Sequence, residues 1–239
     1  MPVHDLNAAF RDHFKITEEF APAKSGGQKS VHFVKIGDEQ FAMKVFKRGA
    51  GDARTVRELG TYDKYNHIQG LPKVRKVEEY HNELVSFEDF IDGDTLENSK
   101  SAYIQNAGKI DGLLQSICTI MEPLWNDGLV HRDLKPDNLM IRKDGGIVIL
   151  DFGIVRDLRD STLTATGFQP QTAQFAAPEQ YAGQKELISM RTDFFNLGLI
   201  AYYLYAGKLP FGDDQPAIAA KFDSANESFT LDATCTLKA

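Results

Sequence analysis

Cysteine is nearly absent from this chain: only Cys118 and Cys235 occur in 239 residues. Two thiols cannot supply the disulfide framework of a small secreted domain. Cys118 lies in an apolar helical run, where a buried, inert thiol is expected. Positive charge is not in excess either. With 27 Lys and Arg against 34 Asp and Glu, the net charge is −7. This argues against a protein that grips nucleic-acid backbones, which needs clustered cations. It does not exclude a small phosphorylated ligand, whose anions need only a few local cations and a metal. Long apolar runs are missing too. The longest, LGLIAYYLYAG, is too short to span a membrane. The opening, MPVHDLNAAFRDHF, is too polar for a signal peptide. A reducing, cytoplasmic compartment is the expectation, with no nucleic-acid partner and no membrane segment.

What is present is ordinary globular material, 42% hydrophobic and 26% charged. The length suits one large domain or two small lobes. Leu6, Ala9, Phe10 and Phe14 recur at helical spacing and predict a leader helix over residues 1–14. KSVHFVKI and FAMKVFK, either side of GDEQ, read as a hairpin. Asp52 can cap a helix through ARTVRELGTYDKY. KVRKVEEYHNELVSFEDFI reads as two more strands. Beyond DGDTL the character changes. Ile110, Leu113, Leu114, Ile117, Met121 and Leu124 share one helical face. LMIRKDGGIVIL turns at Asp144-Gly145-Gly146, and TDFFNLGLIAYYLYAG is apolar on nearly every side, predicting a helix buried all round. The expected organisation is a β-rich lobe over 15–91 and a mainly helical lobe over 92–239.

The stretch AKSGGQKSV is ambiguous by itself, since Gly-Gly is a general turn signal. The segment HRDLKPDN at 131–138, followed by DFG at 151–153, is more specific. Together with FAMK at 41–44, APEQY at 177–181 and TDFFNLGLIAYYLYAGKLPF at 192–211, it resembles the eukaryotic-type (Hanks-type) Ser/Thr protein kinases, in the family's order over roughly residues 15–212. The stretch TATGFQPQTAQFAAPEQY looks most like the bacterial members. The resemblance implies an α+β, bilobal protein-kinase-like fold, with an N-terminal antiparallel sheet carrying one helix and a mainly helical C-terminal lobe. It also implies transfer of the γ-phosphate of Mg-ATP to Ser or Thr hydroxyls of protein substrates, with autophosphorylation.

Phosphoryl transfer needs a metal, a cation on the phosphates and a carboxylate that orients the incoming hydroxyl. One Asp at a strand end is more often a turn or cap; the complete set is what points to chemistry. By the resemblance, Asp133 orients the hydroxyl, Lys135 meets the γ-phosphate, and Asn138 and Asp151 hold Mg2+. His131 packs beneath the loop, and Asp193 ties down its backbone. Alternation places Ala42 and Lys44 on one strand face, with room for an adenine ring beside Ala42. Lys44 is expected to contact phosphate and to pair with Glu58, which lies nine residues before His67. Gly26 and Gly27 form a degenerate phosphate lid flanked by Lys24 and Lys29. Val31 packs on adenine, and Met140 forms its floor. Lys135 and Thr172 match the Ser/Thr-selective pattern. The residue at the end of the fifth strand that closes the adenine site is Phe87 or Glu88, depending on a one-residue shift. Thr164 and Thr166 are the expected phosphorylation sites, close to Arg132 with help from Arg54 or Arg57. No arginine follows Arg191, so Glu179 is expected to lack the arginine that the family pairs with it. The helical lobe is read as cut short after about residue 212, leaving an apolar patch on the helix bearing Phe194 and Phe195. A partner, a second copy of the chain or the leader helix would then cover it.

Overall fold

The computed structural model describes residues 4–25, 29–46, 60–152, 156–157 and 174–212, together with 218 and 222. The fold is α+β and falls into two compact units, Met1–Asp92 and Gly93–Ala239.

In the first unit, helix α1 (Ala8–Phe14) is followed by five strands: β1 (Ile16–Ser25), β2 (Lys29–Ile36), β3 (Glu39–Phe46), β4 (Val74–Tyr80) and β5 (Glu83–Asp89). They form one antiparallel sheet in the order β1-β2-β3-β5-β4. The turn between β2 and β3 uses Gly37 at φ 61°, where the missing Cβ makes left-handed backbone cheap. The turn between β4 and β5 uses His81 and Asn82, both at positive φ.

Asn7 caps α1, its side chain accepting a hydrogen bond from the Phe10 amide at 3.0 Å. The helix buries Phe10 and Phe14 against Val34, Phe41, Met43 and Phe87, one face of the sheet. The Phe14 ring lies 5.3 Å from Phe87, and Phe10 lies 5.1 Å from Tyr80. Polar bridges border this layer: Arg11 Nη2 to Glu19 Oε2 at 2.9 Å, and His4 Nε2 with Glu83 Oε2 at 2.8 Å. The leader helix therefore packs on its own unit's sheet, whose apolar face strand alternation supplies next to it in sequence. Residues 60–64 are helical, and Tyr62 is buried there.

In the second unit, β6 (Gly93–Thr95), β8 (Leu139–Arg142) and β9 (Ile147–Ile149) form a small antiparallel sheet, and β7 (Leu129–Val130) pairs with β10 (Arg156–Asp157). A Cβ on Gly93 would lie 2.3 Å from the Ile141 carbonyl oxygen, so only glycine fits where β6 crosses β8. The helices are α2 (Leu96–Ser99), α3 (Ala107–Asn126), α4 (Pro178–Tyr181) and α5 (Met190–Ala206). The apolar stripe of α3 is buried from Ile110 to Leu124. Cys118 is half-buried rather than buried, beside that stripe, and its thiol is pushed up by burial and by the charge of Glu122.

Helix α5 is not buried all round. Phe194 is 44% exposed, while Asp193, Asn196, Leu197 and Ile200 are buried. The expected open patch is also largely closed from within the chain. Phe195 stacks on Phe211 at 6.2 Å, and Phe222 lies 5.1 Å from Phe211 and 5.6 Å from Tyr181. Ile218 is buried. Aromatic residues following α5 thus supply cover expected from a partner, a second copy or the leader. Among the described residues no helix is long and apolar enough to cross a membrane.

Candidate active site

The loop after β7 is fastened by a single buried carboxylate. Asp193, fully buried in the first turn of α5, accepts hydrogen bonds from the backbone amides of His131 at 2.9 Å and Arg132 at 2.8 Å, and from the Trp125 indole at 2.8 Å. Burial pushes its carboxyl up, and the three donors and His131 pull the other way. Arg132 takes a left-handed φ of 71°, a conformation costly for a side chain with Cβ. Gln180 Nε2 donates to the Arg132 carbonyl at 2.7 Å, so the strained residue is held from both sides.

Six residues further on, the polypeptide folds back on itself. Asn138 Nδ2 donates to the carbonyl oxygen of Asp133 at 2.8 Å and to its Oδ2 at 2.9 Å. Lys135 Nζ lies 3.1 Å from the same Oδ2. Asp133 Oδ1 is buried and has no hydrogen-bond partner among the described residues. Burial pushes the Asp133 carboxyl up; Lys135 and His131 oppose this, and the charge of Asp151 adds to it. His131, fully buried, donates from Nε2 to the Leu150 carbonyl at 3.0 Å, and its Nδ1 lies 3.3 Å from the Asp133 amide. The ring packs edge-on against Phe152 at 4.7 Å.

Asp151 follows β9 at φ 63°, and Leu150 is tied to the Asn138 carbonyl at 2.8 Å. With both amide hydrogens of Asn138 directed at Asp133, its side-chain carbonyl oxygen points the opposite way. An amide oxygen and a nearby carboxylate are hard donors that suit Mg2+, which is commonly held by one or two carboxylates plus substrate phosphates. Among the described residues no group of three or more His, Cys, Asp or Glu gathers as an all-protein metal cage. The donors present fit a metal that arrives with its nucleotide.

In the first unit, the strand register sorts the remaining candidates by face. Val31 pairs with Lys44, Phe33 with Ala42, Lys44 with Ser86 and Ala42 with Glu88. Val31, Ala42, Lys44 and Glu88 therefore share the sheet face opposite α1. Phe87 points to the α1 side, where it is 3% exposed. Of the two alternatives at the end of β5, Glu88 is the one on the Lys44 face. Lys44 Nζ lies 2.5 Å from Glu88 Oε1 and 5.3 Å from the centre of the Tyr62 ring. Glu58, the expected carboxylate for Lys44, lies outside the described residues, as do Gly26, Gly27, Thr164, Thr166 and Thr172. Met140 is half-buried on β8, paired with Thr95 and Val148.

Glu88 was one of the two alternatives left open by the sequence, and the register decides for it. Two residues were not anticipated. Ser86, fully buried beside Lys44, left no mark in the sequence. Thr192 is the other: its hydroxyl donates to Glu179 Oε1 at 2.5 Å. The carboxylate expected to want an arginine thus has a hydroxyl donor one helix away.

An antiparallel five-stranded sheet in the first unit and, in the second, a loop bearing Asp133, Lys135 and Asn138 are the features expected of a protein kinase domain. The model of the protein kinase domain matches residues 26–237, and the chain belongs to that family. It is similar to the "Probable serine/threonine-protein kinase PknB" of Lactococcus lactis, 28% identical over 227 residues, covering 90% of this chain and 35% of that protein. It is also similar to the "Serine/threonine-protein kinase Pkn1" of Myxococcus xanthus, 37% identical over 135 residues, covering 53% of this chain and 18% of that one. A "Probable serine/threonine-protein kinase" of Clostridium acetobutylicum is 30% identical over 188 residues, covering 77% of this chain and 26% of its own. The chain thus spans about a third of the length of the first of these relatives and less of the other two.

Proposed function

We propose that the chain is an ATP-dependent serine/threonine protein kinase, acting on protein hydroxyls and on its own chain. The observation that carries this reading is the asymmetry of Asp133. Its Oδ2 is held by Asn138 and Lys135, while Oδ1 is buried without a hydrogen-bond partner among the described residues. Burying a carboxylate oxygen unpaired is costly. A substrate hydroxyl donating to Oδ1 would relieve that cost while fixing the attack direction. When bound, Mg-ATP supplies the phosphoryl group: the hydroxyl oxygen bonds to the γ-phosphorus as the bond to the bridging oxygen breaks, and ADP leaves. Asp133 Oδ1 takes the hydroxyl proton. Lys135 is assigned to the transferred phosphate, Asn138 and Asp151 to the metal, and Lys44 to the phosphates that stay with ADP. Val31, Ala42 and Met140 are assigned to the adenine. Gly26 and Gly27 are assigned to the lid, Thr172 to hydroxyl choice, and Thr164 and Thr166 to phosphorylation. Glu58 stays a proposed second anion for Lys44.

The test is phosphate transfer from labelled ATP to a generic basic protein, with Asp133→Asn alongside. Losing one positioned acid–base group costs on the order of 10²–10⁴ in rate. Asp133→Asn is expected to fold, bind Mg-ATP and lose turnover by that factor. Wild-type turnover in the variant would overturn the assignment, and no transfer by the parent would overturn the kinase reading.

A further inference from the structure

Lys44 and Glu88 present charges where a sheet interior ordinarily has none. Lys44 is 7% exposed and Glu88 3%, and their charged atoms meet at 2.5 Å. Both side chains rise from central strands of the sheet, β3 and β5. Because Ala42 is the residue opposite Glu88 and Ser86 the one opposite Lys44, the pair runs diagonally across one face, over the small side chain of Ala42. Ser86 Oγ, on the same face, is fully buried and has no hydrogen-bond partner among the described residues. The buried Tyr62 ring approaches the Lys44 ammonium from the helical residues 60–64.

A buried ion pair is a poor stabiliser, since desolvating two charges offsets most of their attraction. Apolar side chains of similar size would join these strands as well. What the pair does supply is direction. An ammonium on four flexible bonds can head in many directions, and a carboxylate held against it narrows that choice.

We propose that Glu88 is a positioning residue for Lys44, a strand-mounted carboxylate that aims the ammonium at the nucleotide phosphates. It rests on the nucleotide role given to Lys44 above. It goes beyond that reading by giving Lys44 a rigid anion from β5, whatever else the helix brings. The strand mount is fixed by the backbone ladder, so Lys44 is aimed before any nucleotide arrives.

The experiment is titration calorimetry of Mg-ATP with the parent chain, Glu88→Gln, Lys44→Met and the double variant, with melting curves to check folding. Neutralising one member of a close charge pair removes its pull on the other, so Glu88→Gln is expected to weaken nucleotide binding on the order of tenfold. In the Lys44→Met background the same change should do almost nothing, because the effect passes through Lys44. Glu88→Asp, which keeps the charge on a shorter stem, should lose less than Glu88→Gln. It carries the comparison if the glutamine variant melts early. Unchanged or tighter binding by Glu88→Gln overturns the proposal, as does an equal loss with and without Lys44. In each of those cases the parent still binds Mg-ATP and the kinase reading stands. A parent chain that fails to bind Mg-ATP overturns both.

Discussion

Asp133 holds its proton more tightly than an aspartate in water because burial disfavours the charged form. Lys135 and His131 work against that, and Asp151 works with it. The kinetic consequence has a definite sign. Proton abstraction needs the ionised carboxylate, so turnover falls as pH drops through the folded-state value. That value is raised, so the acid limb of the rate profile lies at higher pH than an ordinary aspartate would give. Replacing Lys135 by Met removes a charge that favours ionisation and moves the limb to still higher pH. Turnover of both proteins measured from pH 4 to 8 decides this (the window brackets ordinary carboxylate and histidine values). A limb that stays put, or moves down, contradicts the assignment of Asp133 as base. At this scale the sequence was most informative. Asp133, Lys135 and Asn138 lie within one short loop, so their meeting is a local matter. Glu88 was less legible, because its partner depends on which residue of β3 faces which residue of β5, and register between strands so far apart in sequence is set by packing.

Helix α5 and the loop after β7 are joined through Asp193, and the joint can be tested through the molecule's single tryptophan. Asp193→Ala leaves the His131 and Arg132 amides and the Trp125 indole without their acceptor. Each buried donor so stranded costs about 1–3 kcal/mol, so a loss of about 3 kcal/mol or more is expected. Urea unfolding followed by Trp125 fluorescence measures it, and turnover should fall with stability as the loop loses its anchor. A variant that unfolds at the parent's urea midpoint would show that Asp193 is not what fastens the loop. Among elements, the strands, α3 and α5 could be read from their periodicity. The turn at His81-Asn82 was less plain, since neither residue is glycine. The face of α5 was misjudged because periodicity reports how apolar a surface is, not what lies against it: Phe194 looks like core and is 44% exposed. Glu179 was judged by the cation it lacked, though the Thr192 hydroxyl meets it.

For the molecule as a whole, the two units are held by different means: the second by α3, α5 and the aromatic residues after them, the first by a sheet with α1 laid across one face. That helix has a consequence for where the folding unit ends. The family's segment begins at residue 26, yet Leu6, Phe10, Phe14 and Ile16 belong to the core of the first unit. The matched segment thus starts inside the packed core of the first unit rather than at its edge. A chain trimmed to start at residue 26 would leave Phe41, Met43 and Phe87 wet and make β2 an unprotected sheet edge, an invitation to self-association. Removing even one buried phenylalanine costs about 3–5 kcal/mol, against total stabilities of about 5–15 kcal/mol. Backbone amides of β3 and β5 should therefore exchange with deuterated water slowly in the full chain and rapidly in the trimmed one. Slow exchange after trimming would mean that the first unit does not depend on its leader. Otherwise the leader, though it lies ahead of the matched segment, belongs to the unit that folds.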